Sequence, residues 1–368
     1  MSTKKDKFSS KDINYMELAL SLARARVGLT GDNPSVGCVI VKNDKIISIG
    51  QTGFNGRPHA EINAINHSFE SLVGSKMYVT LEPCNHYGQT PPCTKSIIKS
   101  GIDKVYYSIA DIDKRVKEKT YEILTKKKIL VKKGLLSNKA KDLYDSYIIN
   151  RNIKLPYVTA KIALSNNNLI YSKGIKRITD NVSDKLSHYL RFKNDAIMIS
   201  SKTLNTDNPK LNCRLLGCEN FSPIRVILDK NLETKSSTYI YKTSNKKNTF
   251  IFHNSSNSSK IKLFKSKGIN LIKLKLIKNK HFDIKMILKK LFNMGVRNLL
   301  VEGGDKITKN LLKNRLINRF YLFKSPKNLS LMRENIPFTS FSILNKKYNN
   351  KLKIISKLAK DKITIYKR

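Results

Sequence analysis

Along the chain the apolar positions switch repeatedly between two periods. Met16, Ala19, Leu20 and Ala23 recur at three- and four-residue spacing, which predicts a helix over 13–26, with Gly28 shortly after it. The apolar run 36–41 and the stretch 46–50 read instead as strands, joined by the turn-forming pair Asn43-Asp44. Strands are also predicted over 77–81 and 105–109 and helices over 59–65 and 94–99, with Pro83-Cys84 starting a helical turn of its own. A helical segment over 138–149 leads into a second series: strands over 157–164, 196–200, 224–229 and 298–302, with a helix over 181–192. Beyond Phe323 no clear motif stands out, and ordinary strands and helices are expected to close the fold. Such alternation predicts α/β layering twice over, a three-layer domain with a mixed sheet over residues 1–150 and a second α/β domain over residues 151–368.

Length agrees with this division, since 368 residues suffice to bury two separate cores. No apolar run approaches the ~20 residues of a membrane span, and Met1 to Lys7 lacks the hydrophobic core of a signal peptide. With five cysteines and no disulfide framework among them, the expectation is a cytoplasmic protein without a membrane partner. The formal charge of +44 points elsewhere at first sight. Residues 1–146 carry 24 Lys and Arg against 15 Asp and Glu, which leaves 47 against 12 for the remainder. That asymmetry raises nucleic acid as a partner, but the lysines are dispersed among Asn and Ile and lack the aromatic interleaving of a single-strand platform. A basic surface that gathers phosphorylated small molecules is the better expectation. A homo-oligomer is compatible with the sequence but not encoded in it.

The chemistry concentrates between residues 59 and 93. His59, Cys84 and Cys93 are an imidazole and two potential thiolates, a donor set suited to tetrahedral Zn²⁺ with its fourth position open, as catalytic zinc requires. A zinc there would acidify water into a nucleophile, and Glu61, two residues after His59, is placed to carry its proton to a leaving amine. A purely structural zinc would need a fourth ligand, for which Cys38 is the nearby candidate; inside the run 36–41 it reads as a core thiol. His67, His188, His253 and His281 read as ordinary packed or solvated side chains.

The order His59-Ala60-Glu61, Pro83-Cys84, Pro92-Cys93 is the H-x-E…P-C pattern of the zinc deaminases. Thr80 to Cys93 resembles more narrowly the riboflavin-pathway pyrimidine deaminases, whose signature is T-L-E-P-C-x-H-x-G-(K/R)-T-P-P-C, with Gln89 standing here in the Lys/Arg position. The bifunctional members of that family carry a reductase behind the deaminase. Three later stretches match it: Ile178-Thr179 to Arg191, Ser200 to Arg214 (S-x-x-T-x-x-x-D-x-P-x-L-x-x-R), and Val301-Glu302-Gly303-Gly304. The resemblance implies a cytidine-deaminase-like three-layer domain followed by a dihydrofolate-reductase-like domain, with Zn²⁺ and NADPH as cofactors. It implies deamination of 2,5-diamino-6-(5-phosphoribosylamino)pyrimidin-4-one and then reduction of its ribosyl group to ribityl.

Carried over residue by residue, it makes Glu61 catalytic and His59, Cys84 and Cys93 the metal ligands. Ala163, Arg177, Thr203, Asp207, Gly304, Asp305, Lys306, Ile307 and Thr308 fall at NADPH positions, and Asn33, Ile175, Arg191, Leu211, Arg214 and Glu302 at substrate positions. Two stretches depart from the pattern. Ser165 is followed by Asn166-Asn167-Asn168-Leu169 where the family reads S-x-D-G-K/R, and Ile175-Lys176-Arg177 replaces an S-x-W. The rival expectations are therefore a deaminase with a degenerate reductase domain, or a deaminase acting on nucleic acid.

Overall fold

The computed structural model describes residues 8–172, 174–175, 177–278, 280–330, 335–354 and 360–368. The chain divides into two compact units, Met1–Lys154 and Leu155–Arg368.

The first unit runs α1 (Ser10–Arg26), β1 (Gly37–Lys42), β2 (Lys45–Gln51), α2 (Ala60–Asn66), β3 (Lys76–Leu81), α3 (Cys93–Lys99), β4 (Lys104–Ile109), α4 (Lys119–Lys126), β5 (Leu130–Lys133), α5 (Ser137–Leu143) and α6 (Asp145–Ile153). Ser9 starts α1 through a capping box: its hydroxyl accepts the Asp12 N–H at 3.1 Å and the Asp12 carboxylate accepts the Ser9 N–H at 2.9 Å. Asn43 and Asp44 both adopt positive φ, as a tight hairpin between β1 and β2 demands. The sheet order is β2-β1-β3-β4-β5, antiparallel up to β3 and parallel beyond it, so the mixed sheet is present.

Two glycines set how closely helices approach this sheet. A Cβ on Gly37 would lie 1.9 Å from the Ala19 carbonyl of α1, and one on Gly50 would lie 2.1 Å from the Ala60 carbonyl of α2. Gly37 pairs with Gln51, so Gly50 faces the opposite side, and α1 and α2 cover opposite faces. Cys38 is fully buried in β1, a core thiol as the apolar run indicates. Two local expectations are corrected. Pro83-Cys84 lie in a non-helical loop and the next helix begins only at Cys93. The segment 138–149 is not one helix: α5 and α6 meet at Tyr144, whose buried hydroxyl bonds the Thr80 hydroxyl at 2.6 Å beneath the sheet's carboxyl end.

The second unit contains β6 (Tyr157–Leu164), β7 (Leu169–Tyr171), α7 (Asn181–Phe192), β8 (Ala196–Ser200), α8 (Ser201–Asp207), β9 (Ile224–Leu228), α9 (Tyr239–Lys242), β10 (Thr249–His253), α10 (Ser258–Ser266) and β11 (Asn270–Lys273). It continues with the hairpin β12 (Leu276–Ile277) and β13 (His281–Phe282), α11 (Ile284–Asn293), β14 (Asn298–Val301), α12 (Asp305–Lys313), β15 (Arg319–Lys324), β16 (Ile336–Pro337), α13 (Phe341–Lys347), β17 (Asn350–Ile354) and β18 (Lys362–Lys367). Nine strands form one sheet in the order β11-β10-β9-β8-β14-β6-β15-β18-β17, parallel from β11 to β15 and antiparallel after it.

Both faces of the sheet's central parallel strands, β6, β8, β9, β10 and β14, are buried, which explains why they read as nearly continuous apolar runs, whereas the edge strand β17 is exposed along its length. Ala160, Ile162, Met198 and Val301 meet Ile287, Leu291, Leu311 and Leu312 of α11 and α12 on one side. Ile197, Ile199, Ile227 and Leu300 meet Leu190, Leu204, Ile240 and Phe264 of α7 to α10 on the other. The crossovers bring the carboxyl ends of β6, β8, β9 and β14 to one edge, where open α/β sheets bind ligands.

Candidate active sites

In the first unit, three elements deliver one donor each. His59 is the residue preceding α2, Cys84 sits in the loop after β3, and Cys93 opens α3. The Cys84 loop folds back on α3: the Cys93 N–H points at Cys84 Sγ from 3.3 Å and the Thr94 N–H donates to the Cys84 carbonyl at 3.1 Å. His59 Nδ1 then lies 3.3 Å from Cys93 Sγ and 3.6 Å from Cys84 Sγ, and the three ligand atoms fall within 4.8 Å of one another. Zn–S and Zn–N bonds of about 2.3 and 2.0 Å in a tetrahedron place N and S about 3.5 Å apart, so both N···S separations match those of a zinc site.

The electrostatics fit as well. Cys84 is drawn down to about 4 by its hydrogen bond with Cys93, against burial and with help from His59, while that same bond and burial push Cys93 up. The pair thus carries one negative charge readily and needs a cation to carry two. Among the described residues no fourth protein ligand joins the cluster, and Cys38 is not part of it.

Glu61, in the first turn of α2, is 4% exposed, and burial raises its carboxyl although the charge of His59 opposes this. It shares with His59 and Cys84 the wall of a cavity of about 470 Å³, which Asn33, Arg57, His86, Gln89 and Thr90 also line. Asn33 donates its Nδ2 to the Gly56 carbonyl at 3.1 Å, which leaves its side-chain oxygen as an acceptor on the cavity wall. Arg57 and His86 were not singled out from sequence. His86 carries a buried Nδ1 with no hydrogen-bond partner, and Arg57 donates to Gln89 and Thr90 across the mouth. Proximity of 57 to 85–92 is a tertiary fact, invisible in either stretch alone.

The second unit has a cavity of about 680 Å³ at the carboxyl edge of its sheet. Ala163, Thr203, Asp207, Glu302, Gly304, Asp305, Lys306 and Ile307 all line it. Thr203 and Gly304 face each other, for a Cβ on Gly304 would lie 3.6 Å from the Thr203 hydroxyl. The Asp305 carboxylate is turned to Thr339 and Ser340 and anchors the start of α12. Thr308 is buried, with its hydroxyl on the Gly303 carbonyl at 3.4 Å, and supports the glycine turn from behind. Arg177 and Ile175 lie away from this cavity: Arg177 binds Asn181 and Asp184 on α7, and Ile175 is exposed.

The charged centre of this site is Glu302, which follows β14. Arg191 of α7 grips it with two parallel bonds, Nε to Oε1 at 2.9 Å and Nη2 to Oε2 at 2.8 Å, and also donates to the Asn212 carbonyl at 3.2 Å. Burial alone would raise the Glu302 carboxyl, but the charge and hydrogen bonds of Arg191, with Lys161 behind them, bring it down to about 2. Lys161 on β6 was not singled out from sequence. It lies on the cavity wall over the Phe323 ring, and burial lowers its ammonium against the pull of Glu302. Its placement among apolar strand residues hid it.

Leu211 is buried at positive φ and Arg214 is tied to Asn212 and to His188 Nδ1, so the segment 211–214 packs behind Arg191. The Asn166–Asn168 stretch keeps a tight turn: Asn168 takes φ 62°, its N–H donates to the Ser165 carbonyl at 3.0 Å, and Asn167 brackets Leu329 through both amide atoms. The asparagines thus hold the backbone course of the turn without its family charges.

The fold and its two sites define a zinc deaminase joined to a reductase. Residues 9–109 match the family model for the cytidine and deoxycytidylate deaminase zinc-binding region, and residues 156–362 match that for the RibD C-terminal domain. The riboflavin biosynthesis protein RibD of Aquifex aeolicus is 35% identical over 97% of this chain and 98% of its own length. That of Actinobacillus pleuropneumoniae is 34% identical over 86% and 84%. Among solved structures, Acinetobacter baumannii RibD (form 1) superposes with a TM-score of 0.82 at 25% identity, covering 97% of this chain and 98% of that one. The Thermotoga maritima diaminohydroxyphosphoribosylaminopyrimidine deaminase/5-amino-6-(5-phosphoribosylamino)uracil reductase does so with a TM-score of 0.80 at 27% identity, with the same coverage of each chain. The chain belongs to the RibD family of bifunctional riboflavin biosynthesis enzymes, with a cytidine-deaminase-like fold before a dihydrofolate-reductase-like one. Zinc and NADPH are the cofactors that go with this membership. Among the described residues, no helix is long and apolar enough to cross a membrane.

Proposed function

We propose that the first unit releases ammonia from 2,5-diamino-6-(5-phosphoribosylamino)pyrimidin-4-one and that the second reduces the ribosyl group of the deaminated product to ribityl. Zinc held by His59, Cys84 and Cys93 supplies the acidity that makes water nucleophilic at neutral pH. Glu61, kept protonatable by burial, takes the proton that the water gives up and delivers it to the departing amine. Asn33 orients the ring through its free amide oxygen. In the second unit NADPH supplies the hydride. Ala163, Thr203, Asp207 and the 304–307 turn form the wall that holds it, with Thr308 bracing the turn. Glu302, fixed by Arg191, presents a charged acceptor edge to the ribosyl hydroxyls, and the Asn212 carbonyl, between Leu211 and Arg214, receives a further bond from Arg191. The free thiols suit a reducing compartment such as the cytoplasm.

One observation carries the reading: three donors from separate elements meet within 4.8 Å, and two of them, His59 and Cys84, share a cavity wall with a buried glutamate. Metal analysis coupled to ammonia release tests it. Glu61→Gln is expected to keep its zinc and lose ammonia release, and His59→Ala to lose both. Zinc-free wild type that deaminates at full rate would overturn the reading. For the second unit, the deaminated product must drive NADPH oxidation; none at any substrate concentration would leave the reductase assignment untenable.

A further inference from the structure

Three guanidinium groups line the first unit's cavity, those of Arg57, Arg115 and Arg151. Arg115 is committed to Asp113, with Nη2 at 2.6 Å and Nε at 3.0 Å from its carboxylate oxygens. Arg151 lies over the Tyr147 ring at 5.4 Å and in the field of Asp111 and Asp113. Arg57 is held differently. Its Nε donates to Gln89 Oε1 at 3.0 Å and its Nη1 to Thr90 Oγ1 at 2.5 Å, and both acceptors are neutral. Those bonds set the plane of the guanidinium across the cavity mouth without supplying a countercharge.

Most carboxylates on the wall are engaged elsewhere. Glu82 accepts the backbone N–H groups of Asp111, Glu118 and Thr120, Asp113 has Arg115, and Asp111 accepts the Asp113 N–H and the Tyr147 hydroxyl. Asp32 is likewise engaged. On the 85–92 segment, Gly88 approaches Arg57 Nη2 so closely that a Cβ would lie 3.7 Å from it, and His86 adds its unpartnered Nδ1. With Nε and one Nη1 hydrogen held by neutral acceptors, the remaining Nη1 and Nη2 hydrogens form a fork of donors that suits the oxygens of a phosphate.

We infer that Arg57 is the phosphate-recognising residue of the deaminase unit. It receives the phosphate of the substrate's phosphoribosyl arm at the cavity mouth and so selects phosphorylated over dephosphorylated pyrimidine. This rests on the deamination proposed above and adds to it the residue that sets specificity.

The test uses the full chain, with ammonia release followed on the phosphorylated pyrimidine and on the same compound without its phosphate. Arg57→Ala is expected to raise KM for the phosphorylated substrate by about tenfold to a hundredfold, with kcat changing far less, zinc content intact and KM for the dephosphorylated compound unchanged. Gln89→Lys, added to that variant, returns a cation to the same wall and should lower KM for the phosphorylated substrate alone. An equal rise for both substrates, or no rise, overturns the inference. Calorimetry with ribose 5-phosphate separates the two readings. Wild type that releases no ammonia but has a ribose 5-phosphate site lost in Arg57→Ala sinks the deamination and keeps the phosphate site. Binding unaltered by Arg57→Ala sinks the phosphate site whatever the turnover.

Discussion

Replacing Glu302 by Gln preserves shape and removes one charge from the centre of the second unit. The Arg191–Glu302 pair is 11% and 13% exposed, so solvent screens it little, and Lys161 adds a second cation nearby. Loss of one partner of a buried pair costs about 3–5 kcal/mol, because the remaining charge stays desolvated. Linkage gives a second estimate. The carboxyl sits at about 2 in the fold against an ordinary 4.5, and that gap, at about 1.4 kcal/mol per pH unit, corresponds to about 3 kcal/mol. Since the folded value is depressed, this stability is present in full above about pH 4.5 and is lost as pH falls towards 2. Urea unfolding followed by circular dichroism, needed because the chain has no Trp, reads the effect. At pH 7 Glu302→Gln should lower the stability of the second unit by about 3 kcal/mol, and the difference should shrink steadily below pH 4.5 as the wild type weakens towards the variant. Adding Arg191→Met should recover part of the loss, since removing both charges leaves neither stranded. A variant as stable as wild type at pH 7, or a deficit that stays constant down to pH 3, refutes this account of the pair.

Gly50→Ala should displace α2 and with it His59 and Glu61, because the added Cβ would meet the Ala60 carbonyl at 2.1 Å and the Ala64 nitrogen at 2.5 Å; the expected outcome is a loss of about 1–3 kcal/mol or more and a fall in zinc content, and normal zinc with normal ammonia release would contradict it. Tyr144→Phe removes one of two partners of the buried Thr80 hydroxyl, which keeps the Gly37 N–H, and should cost about 0.5–1.5 kcal/mol in thermal or urea unfolding while leaving zinc bound.

Much of the first unit is legible in the sequence alone, and the reasons are local. The period of Met16, Ala19, Leu20 and Ala23 makes a helix wherever it packs, and the run 36–41 has the composition of a buried strand, so α1 and β1 appear where they were expected. The donor types at 59, 84 and 93 carry their chemistry in the side chains themselves. The helical turn expected at Pro83-Cys84 failed because tertiary demand overrode local preference: the chain must fold back so that Cys84 reaches α3 and His59.

What the sequence determined by itself was the alternation of strands and helices, the division of chemistry between two halves, and the residue types of the proposed metal donors and of Glu61 beside them. These depend on residue type and short spacing. Tertiary structure decided which distant side chains share a wall: Arg57 with Gln89, 32 positions apart, and Arg191 with Glu302, 111 apart. It decided also that Lys161 stands on the cavity wall while Arg177 and Ile175 stand away from the cavity. The physical reason is that strand order and helix crossings bring residues together across stretches whose length leaves no mark in local periodicity, so long-range charge partners become visible only when the sheet is assembled.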